Sequence, residues 1–129
     1  MTDDDATGYA MVRRIYEGFN RRDIPAVLAL LDEAVDWANG MDGGHVHGRE
    51  AVRAYWTRQW AAIQPQVDPL QIARRADGAT AVEVHQVVRD LEGKLLLDER
   101  VRHVFRIVDG LVTRFDIENA GGLSALAHG

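Results

Sequence analysis

A single histidine in an alternating stretch is the residue in this chain best suited to chemistry. Along Arg100–Val108, successive side chains of a strand point to opposite faces of a sheet. Val101, His103, Phe105 and Ile107 form one set; Arg100, Arg102, Val104, Arg106 and Val108 form the other. The apolar set is the one to bury, and it carries one imidazole. An unperturbed imidazole titrates near neutrality, so His103 could serve as a general base or as a proton donor to an enolate. It could equally hold a ligand without turning it over. A third role is structural, bonded to a neighbouring amide as buried polar groups normally are.

The elements that must position it can be read from spacing. Met11, Ile15 and Phe19, flanked by Val12 and Tyr16, recur at helical intervals. Asp23 reads as the N-cap of a second helix with Pro25 in its first turn and a buried stripe of Ile24, Val27, Leu28 and Leu31. A short strand from Val35 to Asn39 places Val35, Trp37 and Asn39 on one face. The glycine-rich stretch Gly40 to Gly48 leads to a third helix, Arg49 to Ile63, with Val52, Trp56, Trp60 and Ile63 as its stripe and Tyr55 and Gln59 at the edge. Pro65 and Pro69 close that helix and open the strand region, Leu70 and Ile72 mark a strand, and Asp77-Gly78 is a turn. Thr80–Asp90, Leu95–Val108 and Leu111–Asn119 are strand-length runs joined at Glu92-Gly93 and Asp109-Gly110.

Hairpin arithmetic places His103 opposite Val82 and Val101 opposite Val84. The inner face of the earlier strand is then Val82, Val84, Gln86 and Val88, which is also its apolar set. Glu83, His85 and Arg89 go outward. In the last strand, a bulge at Gly110 is needed to turn Leu111, Phe115 and Ile117 inward. Asn119 then faces inward, with Asp116 and Glu118 outward.

Composition limits the partners. With 129 residues and 47% hydrophobic content the chain can form one domain, 1–129, with 1–6 and 121–129 expected as flexible tails. A net charge of −5 argues against nucleic acid, and the arginines are dispersed rather than massed. The absence of cysteine removes thiolate and disulfide chemistry and suits a cytoplasmic protein. No apolar run reaches the roughly 18 residues of a membrane span. His45 and His47 share a face in an extended chain but lack a third ligand, so no metal site is expected. The glycines of Gly40–Gly48 lack the strand–glycine–lysine–helix order of a phosphate loop.

Val12-Arg-Arg-Ile-Tyr-Glu-Gly-Phe-Asn20, Asp23-Ile-Pro-Ala-Val-Leu-Ala-Leu-Leu-Asp-Glu-Ala-Val-Asp-Trp37, and Gly48-Arg-Glu-Ala-Val-Arg-Ala-Tyr55 resemble the nuclear transport factor 2-like superfamily. The nearest likeness is to its SnoaL-like and ketosteroid-isomerase-like branch. His103-Val-Phe-Arg-Ile-Val-Asp-Gly-Leu-Val-Thr-Arg-Phe115 is similar to the closing strands of that family and of limonene-epoxide hydrolases. The resemblance implies an α+β cone: three helices from the N-terminal half on a curved, mostly antiparallel sheet enclosing one pocket. It also implies a homodimer through the outer sheet face. Residue by residue, the isomerase base falls on Asn39 or Ala38, its protonated aspartate on His103, and its tyrosine on Ile15, next to Tyr16. The hydrolase set falls on Val84, Gln86 and Ile117, and the cyclase acid/base on Asn119. Neither the isomerase nor the hydrolase carboxylate set is present.

The site expected from these residues has His103, Asn39 and Gln86 as candidate catalytic groups. Tyr16, Trp37, Trp56, Phe115 and Asn119 would contact the substrate. The ligand would be small and apolar or polyketide-like, with no cofactor. The expected chemistry is proton transfer next to a carbonyl, in an isomerisation, cyclisation or dehydration. The alternative is a non-catalytic ligand-binding or assembly domain of the same fold.

Overall fold

The structure, a computed structural model, describes residues 3–40 and 42–118, with side chains from residue 8 onward. Asn119 and the 121–129 tail lie outside the described residues. The elements run α1 (Asp3–Asn20), α2 (Ile24–Leu28), β1 (Leu31–Ala38), β2 (His45–His47), α3 (Arg49–Ala62), β3 (Ile63–Arg74), β4 (Thr80–Asp90), β5 (Leu95–Val108) and β6 (Leu111–Glu118). The strands form one six-stranded sheet in the order β2-β1-β6-β5-β4-β3. Every neighbouring pair is antiparallel except β1 with β6. The helices lie on one face, as the alternation of apolar residues requires.

The α1 stripe of Met11, Val12, Ile15 and Tyr16 is buried in the main core. Asp23 caps α2, accepting the Ala26 N–H through its side chain, with Pro25 in the first turn. Gly18 lets α2 approach: a Cβ there would stand 2.6 Å from the Val27 methyl. The second helix is shorter than its stripe suggested. It ends at Leu28, and Leu31 is buried as the first residue of β1.

The β4–β5 register agrees with the hairpin arithmetic, pairing Val82 with His103 and Val84 with Val101. Two expectations about the strands need correction. The third helix stops at Ala62, and β3 begins at once at Ile63, running through both Pro65 and Pro69 to Arg74. Strand β3 tolerates two prolines because it is the sheet edge, where one row of N–H groups has no partner strand. The last hairpin also differs in where its phase shifts. Asp109 and Gly110 both have positive φ, 53° and 80°, which makes the tight two-residue loop of a primed turn. The extra residue is Thr113, between the Ile107–Val112 and Arg106–Arg114 pairs. Val112 and Phe115 are therefore both buried, while Leu111 takes the outer phase. Phe115 still pairs with Phe105 and Ile117 with His103, so the inward set beyond the bulge is the expected one.

Candidate functional site

Aromatic side chains from α1, α3, β1, β5 and β6 meet over the concave sheet face. Trp37 on β1 stacks on Phe115 of β6 with centroids 4.0 Å apart, and meets Trp56 of α3 edge-on at 5.2 Å. Phe105 and Phe115 lie 5.1 Å apart. These walls surround a cavity of about 60 Å³ whose polar lining comes from Tyr16, Tyr55, Gln59, Gln86 and His103. A cavity of roughly 150 Å³ is known to admit benzene. A ring-bearing ligand must therefore displace part of the wall, whose lining includes the half-buried Phe19.

His103 sits at the centre. Tyr16, one α1 residue beyond Ile15, places its hydroxyl 2.7 Å from His103 Nδ1, with the two rings nearly parallel. Burial pushes the imidazole down to about 3, because the imidazolium would be stripped of water with no anion beside it. Burial likewise pushes the Tyr16 phenol well above its ordinary value. Both partners are therefore neutral at physiological pH, and the expected titration of His103 near neutrality is corrected to one far below it. The Tyr16 hydroxyl can donate to a bare Nδ1 or accept from Nδ1–H, and when it donates the imidazole proton resides on Nε2. His103 is thus a neutral imidazole at the cavity wall.

Six of the eight expected site residues come together here: His103, Gln86, Tyr16, Trp37, Trp56 and Phe115 all line the cavity. Asn39 does not. It is buried, but its Oδ1 accepts the Asp42 N–H and its carbonyl accepts the Gly43 N–H, so it shapes the turn after β1. Asn119 falls outside the described residues. Sequence reasoning passed over Tyr55 and Gln59. The Tyr55 hydroxyl accepts hydrogen bonds from the Gly40 N–H and the Gln59 side-chain amide, both at 3.2 Å. Gln59, in the polar run between Trp56 and Trp60, is only 4% exposed.

The outer sheet face has a different chemistry. His85 pairs with Asp98 at 2.6 Å, Arg102 with Glu83 at 2.5 Å, and Arg75 grips Glu118 at 2.6 and 3.0 Å. His45 and His47 are held by different carboxylates, Asp116 at 2.8 Å and Asp36 at 2.7 Å. Arg114 lies between those two aspartates and bonds Asp116 through two nitrogens. Among the described residues no three potential metal ligands converge, and no helix is long and apolar enough to cross a membrane.

Comparison with known proteins agrees with this architecture. A nuclear transport factor 2-like protein of unknown function from Burkholderia pseudomallei superposes with a TM-score of 0.80 at 26% identity, covering 95% of this chain and 98% of that one. TerC, crystallised with polyporic acid, gives 0.80 at 20% identity over 95% and 99%. A candidate polyketide cyclase from Xanthomonas campestris gives 0.71 at 24% identity over 87% and 89%. No curated protein sequence matches the chain. The SnoaL-like domain family matches residues 12–115, from the α1 core stripe to the phenylalanine that stacks on Trp37, and the chain belongs to that family.

Proposed function

We propose that the cone binds a small, mostly apolar carbonyl compound and polarises it with neutral hydrogen-bond donors. The observation that carries this reading is the Tyr16–His103 contact: with the phenol donating to Nδ1, the buried, uncharged imidazole keeps Nε2–H as a fixed donor beside aromatic walls. An oxygen accepting that bond gains most when negative charge develops on it, as in enolisation, because the donor is preorganised in a dry site. Gln86, on the neighbouring strand, adds an amide to the same cavity. Isomerisation, cyclisation or dehydration next to a carbonyl are the reactions such donors serve, and they draw on no cofactor. Candidate polyketide cyclases among the fold neighbours, and the polyporic acid bound to TerC, support a small ligand of this kind. The same reading takes the protein as a homodimer through the outer sheet face, which light scattering at micromolar concentration tests directly.

A second reading, a binder that turns nothing over, is favoured by one observation: no carboxylate lines the cavity among the described residues. A panel of hydrophobic carbonyl compounds, screened for binding and for product, separates the two. In the enzyme, His103→Gln lowers turnover by about 10²–10³, the usual worth of one oxyanion donor. In a binder, affinity falls and neither form yields product. Full turnover by the variant would overturn the role given to His103.

A further inference from the structure

Two buried amides of the cavity wall have an atom without a hydrogen-bond partner among the described residues: Oε1 of Gln59 and Nε2 of Gln86. Each residue is 4% exposed and each lines the cavity. Buried polar atoms are nearly always paired in folded proteins, so orphans of both kinds around one cavity point to a partner that arrives with a ligand. The orientation of Gln59 is set by its other end, since its amide nitrogen is spent on the Tyr55 hydroxyl, which also holds the Gly40 N–H. Its carbonyl is what remains. The cavity thus presents two kinds of group: a donor at Gln86 Nε2, joined by His103 Nε2 when Tyr16 donates to Nδ1, and an acceptor at Gln59 Oε1.

We infer that the ligand carries a hydroxyl or N–H donor as well as its carbonyl, and that Gln59 is the specificity-determining residue that reads this donor. The inference rests on the carbonyl reading above and adds to it a second polar group and the residue that recognises it. The ligand must also be uncharged where it is buried. No Asp, Glu, Lys or Arg lines the cavity among the described residues, so an ionised group would lose its water without gaining a counter-charge. A hydroxy-ketone, with one oxygen accepting and another donating, satisfies the orphaned atoms together.

The test uses single-ring probes at pH 6, where a phenol is un-ionised: acetophenone, its 3- and 4-hydroxy derivatives, and the matching methoxy ethers. Binding is read from tryptophan fluorescence and by calorimetry. The native protein should bind the better hydroxyacetophenone about tenfold more tightly than its methyl ether, the worth of one buried hydrogen bond. Gln59→Met, close in volume, should cut the preference of hydroxyl over ether to less than about twofold. The ether comparison needs no substitution, so it stands even if the variant folds poorly. Equal affinity for hydroxyl and ether in the native protein would overturn the inference while leaving the carbonyl reading intact, provided acetophenone binding still depends on His103. Failure of every probe to bind would overturn both.

Discussion

His103 and His85 lie on adjacent strands of one sheet and face opposite ways, and their surroundings separate the two sides of the molecule. On the concave side, His103 is 5% exposed, meets the rings of Tyr16 and Phe115, and is kept neutral by burial. On the convex side, His85 is half-buried and set against Asp98 among arginine–carboxylate pairs. Dry polar groups without counter-charges cost stability and can meet a ligand; hydrated ion pairs cost little and contribute little. The chain has placed its neutral polar groups where binding can use them and its charges where water can screen them.

The largest test of this contrast removes the aromatic wall. Trp56 is 1% exposed and touches Phe19, Trp37 and Trp60, so Trp56→Ala should destabilise the protein by about 3–5 kcal/mol in urea denaturation. A loss below about 1 kcal/mol would mean that the wall is loosely packed.

Next in size is acid. The folded imidazole of His103 binds its proton only near pH 3, whereas in the unfolded chain it does so near 6.5. Between these values the unfolded state holds the extra proton, so stability is complete above about 6.5 and declines as pH falls. From pH 7 to 4.5 the loss should be about 2–3 kcal/mol. The carboxylates of Asp36, Asp77, Asp116 and Glu118, held low by their partners, contribute only in a more acidic range. His103→Gln should flatten the slope above pH 4.5, and an unchanged slope would assign it to other groups.

Tyr16→Phe removes the hydroxyl on Nδ1 and strands a buried acceptor, at a cost of about 1–3 kcal/mol. The smallest effect is expected on the convex side. Arg106→Ala breaks an exposed pair with Asp77, and the urea midpoint should move by no more than the scatter of the measurement.

Particular residues show how far the sequence could be read. The alternation of Val101, His103, Phe105 and Ile107, with the turn at Glu92-Gly93, was enough to place the imidazole on the concave face opposite Val82. Period-two patterning determines a face, and a face was all that step required. The proton on His103 was not legible, because its titration depends on how completely α1 and the aromatic residues exclude water. Pro65 and Pro69 read as the boundary between helix and strand rather than as strand residues, since nothing local says that their strand is an edge. The bulge at Thr113 was misplaced to Gly110 for a similar reason: both positions restore the same downstream phase, and only pairing across the strands distinguishes them. Gln59 was hidden as one of three polar residues, with Thr57 and Arg58, between two tryptophans, where a helix edge and a cavity wall look alike.

The central claim is the state of one imidazole, and ¹⁵N NMR of histidine-labelled protein measures it directly. His103 should show a protonated Nε2 and a bare Nδ1 acceptor, with shifts constant from pH 8 to about 4.5. Titration of that ring near pH 6.5, or a proton resident on Nδ1, would contradict it.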